Sequence, residues 1–298
     1  MSALVDLGPN ASAAATPRRR PHPAARVSPL LGALCVGVIA IMLFPLLMCF
    51  SASIKTAQEA SAVPPHYWPA ALSVENYLKV FRYQAGLPVY LANSFAVAAL
   101  TIALCVGLGT PAAYGLARFP VPAKELVFLV LLSGLMIPYQ ALLTPLYIMA
   151  ASLGLANTYL GLAIVHTVVQ LPFSIYLLRN SFEETPRELE EAGIVDGCNS
   201  VQLLRWIFLP AAAPALITVT LFAFITSWNE FLAALIFMNK ETAFTVPIML
   251  VGVRQGHFGA VDWGALQAGV IVSILPCLAI YLLLQRYYVS GFLSGAIK

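Results

Sequence analysis

Long apolar runs, interrupted by short polar segments, dominate the chain. They cover roughly residues 30–50, 94–114, 126–149, 158–178, 211–237 and 266–285. Each has the length of about 20 residues that an α-helix needs to cross a bilayer. From Leu126 to Leu178 no Asp, Glu, Lys or Arg occurs, which leaves room for two spans and a turn. The short alternating segments of a membrane β-barrel are absent. The pattern therefore predicts an all-α polytopic membrane protein with six transmembrane helices. The first run, Leu30 to Phe50, follows the basic stretch ATPRRRPHPAARVSP. At 21 residues it exceeds the about 7–15 residues of a secretory apolar core, so it is expected to remain as the first span. Residues 1–28, rich in Ala, Pro and Arg, are expected to form a disordered tail, and residues 29–298 the membrane domain.

Composition agrees: 60% of residues are apolar, 10% are charged, and the mean hydropathy is +0.85. A net charge of +3 gives no footprint for nucleic acid. The placement of the charges says more. With the N-terminus inside, Arg18, Arg19, Arg20, Arg26, Arg118, Lys124, Arg179, Arg187, Arg205, Arg286 and Lys298 fall on the cytoplasmic side. Only Lys55, Lys79, Arg82, Lys240 and Arg254 fall outside, eleven against five. The excess of inside Lys and Arg predicts that both termini are cytoplasmic. Two longer outer connections follow, Ser51 to Asn93 and Asn239 to about Gly264. The five cysteines are scattered, without metal spacing or a disulfide framework, and are expected to be small packing residues. No G-x-x-x-x-G-K-[ST] occurs, so nucleotide hydrolysis is not expected on this chain. No metal cluster or nucleophile constellation stands in or beside the spans, which argues against a membrane enzyme.

One island breaks the apolar pattern. Six of the thirteen acids, Glu183, Glu184, Glu188, Glu190, Glu191 and Asp196, lie within fourteen residues. In the segment 183–210, Thr185-Pro186-Arg187-Glu188 has the form of a helix start with a capping box. Gly197 stands where that helix should end. Asn199, with Gln202 three residues on, starts a second helix that leads to Pro210. The loop is predicted to be helix, glycine turn, helix. Leu189, Ala192 and Gly193 share one face of the first helix. Gly193 costs about 1 kcal/mol relative to Ala in a helix interior, a cost that makes sense if something packs closely there. On local physics alone, a solvated acidic loop accounts for the charge as well.

Spacing adds a resemblance. Glu191-Ala192-Gly193, then Gly197 after three residues, then Ile207-Phe208-Leu209-Pro210 after nine more, resembles the EAA motif of ATP-binding-cassette importer permeases. Only Gly193 departs, standing where the pattern has alanine. The blocks NSFAVAALTIAL, AAYGLARF, MIPYQALLTPLYI, GLANTYLGL, LPFSIYLL, SWNEFLAALIFM and QRYYVSGFLSGAIK are similar to the sugar-permease branch, from about Pro29 to Lys298. The resemblance implies one half of a two-permease pathway in a bacterial-type inner membrane. It implies two cytoplasmic ATPase subunits below and an extracytoplasmic solute-binding protein above. ATP and Mg would be held by the ATPase, with no cofactor on this chain. The loop would dock on the ATPase: Glu191 against a basic residue, Ala192 and Gly193 in the close contact, Gly197 at the turn. Glu190, Asp196, Ile207, Leu209 and Pro210 complete that coupling set.

Polar groups inside spans are default candidates for function. Glu230, in Ser227-Trp228-Asn229-Glu230-Phe231, is foremost. With Trp228, Asn229, Tyr139 and Gln140 it can supply the hydrogen bonds and aromatic face that a sugar requires. The alternative is that Asn229 and Glu230 bond to neighbouring helices. His166 and Gln170 share a helix face and are expected to serve packing or interhelical bonds. A glycerol-phosphate-type polyol is the rival solute, though no basic phosphate site is evident. A secondary transporter acting alone is the rival class, but no inverted repeat is evident and Glu230 is the one acid in a span.

Overall fold

The computed structural model describes residues 28–254 and 261–295, with side chains as far as residue 285. The expected tail, residues 1–27 of it, lies outside the described residues. So do the side chains of QRYYVSGFLSGAIK from Arg286 on. Helix α1 (Pro29–Ser53) is apolar on every side and contains Pro45. The chain divides there into two units, one ending at Pro45 and one beginning at Leu46. Everything below concerns the second.

The long connection 51–93 has regular structure. It carries α2 (Ala57–Ala60) and α3 (Glu75–Phe81). Its polar atoms tie it back on itself: Asn76 donates to the carbonyls of Ser53 and Lys55, and Ser51 to that of Tyr67.

Helix α4 (Leu87–Arg118) is longer than the span read from the sequence. Further on lies α7 (Tyr159–Glu184), and these two make the largest helix pair of the described residues. Small side chains mark the contact: Cys105 meets Thr167 and Ser174, and Gly109 lies against Leu171, Ser174 and Leu178. Such residues let membrane helices approach closely. The hydroxyls of Thr167 and Ser174 bond within α7, to the carbonyls of Ala163 and Gln170.

Between them the apolar run 126–149 is not one straight helix. Helix α5 (Lys124–Ser133) continues through a tight turn to Met136, and α6 (Tyr139–Ser152) leaves at 103°. The break falls at Ile137, which is extended because the ring of Pro138 disfavours helical backbone before it.

After α7 comes the acidic loop, with α8 (Arg187–Val195), α9 (Ser200–Leu203), a π-helical turn (Leu204–Phe208) and α10 (Leu209–Ala211). Helix α11 (Ala213–Asn229) turns from it by 80°. The fifth predicted run also breaks, at Glu230–Phe231, and resumes as α12 (Leu232–Phe237). The connection 239–264 holds a partly buried helix, α13 (Val246–Val253), that was not expected. The last helix, α14, spans Trp263–Gly295. Asp262 caps it by accepting from Ala265 N–H, and also pairs with Lys79 of α3. Burial works against the Lys79 ammonium, but the hydrogen bond and charge of Asp262 prevail and raise its pKa. Among the described residues, four helices can cross a membrane by length and composition, and six if each bent pair counts as one span.

Three apolar clusters hold these elements. One gathers Tyr90, Phe224, Trp228 and Met249; another Leu143, Leu162, Val165 and Phe237. The third, Tyr114, Leu178, Phe182, Leu203 and Phe208, lies beneath the acidic loop.

Candidate functional site

The acidic loop folds as two helices around a glycine turn. Thr185 does not cap α8 as expected. Its backbone is extended, and its hydroxyl donates to the Ser181 carbonyl at the end of α7. The predicted box with Glu188 is therefore not made, and acids in the first turn complement the helix dipole instead. The far end follows the expectation closely. Gly197 has φ +83°, Cys198 N–H bonds to Gly193 O at 2.9 Å, and Gly197 N–H bonds to Ile194 O at 3.0 Å. These two bonds are a Schellman cap, which needs a left-handed residue at this position. Asn199 and Gln202 then form a reciprocal capping box at 3.0 and 2.8 Å.

The frame sorts the loop residues by direction. Gly193 is buried and faces the second helix: a Cβ there would stand 2.6 Å from Leu203 Cδ2 and 2.7 Å from Ile207 Cδ1. The close approach it permits is internal to the loop. Glu190 also turns inward, to Arg118 at 3.2 Å. Ile207 and Leu209 are half-buried. Glu191, Ala192, Asp196, Gly197 and Pro210 are exposed. With them stand large apolar side chains in the open: Leu189, Ile194, Val195, Val201 and Trp206. This mixed acidic and apolar face is built on a rigid scaffold.

The residues read as solute contacts do not converge on one surface. Glu230 closes the break in the fifth run. Its carboxylate accepts from Ala233 and Ala234 N–H at 2.8 and 3.0 Å, capping α12, and lies 3.3 Å from His166 Nε2. His166 Nδ1 meets Ser227 Oγ at 2.9 Å. In the tautomer with its proton on Nε2, His166 donates to Glu230 and accepts from Ser227 at Nδ1. Trp228 is 2% exposed, stacks on Phe224, and donates to the Ser273 carbonyl at 3.1 Å. It packs α11 against α14 rather than facing an opening. Asn229 is exposed and bonds to its own helix at Ile225. Tyr139 and Gln140 begin α6 at the other break. The Tyr139 hydroxyl is buried near Glu230, while Gln140 is exposed. A cavity of about 550 Å³ opens there, lined by Met136, Pro138, Tyr139, Val168 and Pro172 among others.

Reasoning from the sequence expected packing or an interhelical bond from His166 but did not name its partners: His166 reaches Glu230, and Ser227 reaches His166. The sign was that each is polar within an apolar run. Arg118, at the end of α4, entered only the count of charges. Among the described residues, no group of His, Cys, Asp and Glu is placed to hold a metal.

The comparisons with known proteins agree with this architecture. Residues 105–292 match the family described as "Binding-protein-dependent transport system inner membrane component". The chain is 37% identical over 86% of its length to the probable ABC transporter permease YurM of Bacillus subtilis, covering 83% of that protein. It is 32% identical over 92% of its length to the trehalose/maltose transport system permease MalG of Thermococcus litoralis, covering 97% of it. Its fold is similar to a chain of a bacterial ABC transporter involved in import of the acidic polysaccharide alginate. There the TM-score is 0.76 at 22% identity, over 90% of this chain and all of the other. The broken spans, the ordered acidic loop and a match reaching through most of the membrane region lead to one assignment: this chain belongs to the binding-protein-dependent inner membrane component family, the permeases of ATP-binding-cassette importers.

Proposed function

We propose that this permease carries a sugar or glycoside and that the acidic loop faces the cytoplasm and docks an ATPase subunit. The observation that carries the reading is the outward face of the loop. Glu191 and Asp196 stand there beside Ile194, Val195 and Trp206, on a scaffold fixed by a Schellman cap and a capping box. An exposed apolar patch with a charged border is what a partner protein covers. The loop end of the chain carries Arg118, Lys124, Arg187 and Arg205, in keeping with the inside rule.

In this reading a second permease completes the pathway, and a solute-binding protein delivers from the other side. ATP and Mg are bound by the ATPase subunits, whose closure biases two states of the spans. A sugar is supported by the relative named for trehalose and maltose and by the sequence blocks shared with the sugar branch. Of the five solute candidates, Tyr139, which lines the elbow cavity, is the best placed to meet one.

Reconstituting the full complex in liposomes tests this. Uptake of a labelled disaccharide should stop when ATP is depleted and persist when only the proton gradient is collapsed. Uptake that follows the proton gradient without ATP would overturn the reading.

A further inference from the structure

The loop has to pull on the spans as well as bind a partner. Its internal bonds say how it keeps its shape but not what ties it to the membrane helices. Along the chain it is joined only at Thr185–Pro186, where the backbone is extended, and at Pro210–Ala213, where the helices turn by 80°.

Arg118 stands where these parts meet. It is the last residue of α4, and its side chain is only 6% exposed. One guanidinium reaches three elements. Nη1 donates to Glu190 Oε2 of α8 at 3.2 Å. Nη2 donates to the carbonyls of Phe182 and Thr185, which close α7. The guanidinium carbon lies 4.8 Å from the ring centre of Phe208, in the π-helical turn that ends the loop. Phe208 is itself buried between Tyr114 of α4 and Phe182 of α7, with centroids 5.1 and 5.9 Å away. Both halves of the loop thus touch the same cation. The planar fork of Arg can serve a carboxylate, two carbonyls and an aromatic face together; a Lys ammonium cannot.

We infer that Arg118 is a positioning residue for coupling: it ties the docking loop to α4 and α7 so that the three move as one body. The inference rests on the docking reading above. The loop keeps its Schellman cap, its capping box and the packing at Gly193 without Arg118, since none of these involves it. Removing Arg118 should leave a loop that still docks but moves without carrying α4. Losing the tie is then a loss of coupling, not of assembly.

The test uses the complete complex in liposomes, with ATP hydrolysis and solute uptake measured in the same vesicles. For Arg118→Ala the ATPase subunits should copurify as in wild type. The uptake per ATP hydrolysed should fall roughly tenfold, the size of a lost coupling contact. Glu190→Gln leaves both carbonyl bonds in place and should fall less. Arg118→Lys should be intermediate, because it keeps the charge but not the fork. An unchanged uptake per ATP in Arg118→Ala overturns the inference. So does a loss of uptake matched by equal loss of hydrolysis and of copurified ATPase. Should Arg118→Ala fail to insert, Arg118→Lys decides, and a wild-type ratio there overturns the tie. The docking reading fails separately: it falls if Ile194→Glu, on the outward face, leaves the ATPase bound and active.

Discussion

At the scale of single residues, direction decides the role. Gly193 is the one departure from the EAA pattern, and its lack of a Cβ serves packing inside the loop. The atoms that a Cβ would meet, Leu203 Cδ2 and Ile207 Cδ1, are the far ends of flexible side chains and can turn aside. Gly193→Ala should therefore be tolerated. It gains about 1 kcal/mol of helix propensity and gives part of it back in displacing those two tips. Thermal unfolding of the detergent-solubilised complex should show an unchanged or slightly higher midpoint, with uptake retained. Gly193→Phe should instead drive the two loop helices apart and lose uptake. Equal behaviour of the two variants would contradict the inward placement. Trp228 teaches the same lesson from the other side: an aromatic beside an intramembrane acid suggests a sugar platform, yet its indole is spent on Phe224 and Ser273.

At the scale of elements, the breaks matter more than the helices. The apolar runs were legible because every span needs about 20 residues without charge, and α4, α7 and α14 follow from that. The breaks were not: no charge interrupts the run around Ile137, and beside Phe231 the acid Glu230 reads as a solute candidate rather than as the cap of a resumed helix. Proline was a weak sign, since Pro111, Pro172 and Pro276 sit inside unbroken helices and membrane helices tolerate proline. The acidic loop was far more legible. Gly197, Asn199 and Gln202 act through local backbone geometry, which spacing records. The expected Thr185 cap failed because its hydroxyl has a nearer partner in the turn before it, the Ser181 carbonyl. What holds Glu230 was hidden because His166 is 64 residues away in sequence. Glu230 now has an element-scale role as the cap of α12. Glu230→Ala should cost about 1 kcal/mol for the lost cap and more for the unpaired His166. Glu230→Gln keeps an acceptor and should cost less. Thermal midpoints in that order, with unchanged solute preference, are the expected result. A variant of full stability and altered solute preference would return Glu230 to the pathway.

At the scale of the whole molecule, one ordered loop meets the cluster that joins α4, α7 and α11. The inward face of that loop is committed to the permease through Gly193, Glu190 and Phe208. Its outward face is not committed to anything among the described residues. In the proposed docking, partner binding and span contact are separated by side of the helix, and variants should separate them too. Ile194→Glu and Val195→Glu add charge to exposed apolar positions and disturb no internal contact. They should leave membrane insertion and the thermal midpoint of the permease unchanged, while the ATPase no longer copurifies. Glu191→Lys reverses a charge on the same face and should weaken association without unfolding the loop, more at low salt than at high, because surface charges are screened. Quantifying ATPase retained on affinity-purified permease, across a salt series, measures both effects. Retention at wild-type level by all three variants would move the docking surface away from the acidic loop.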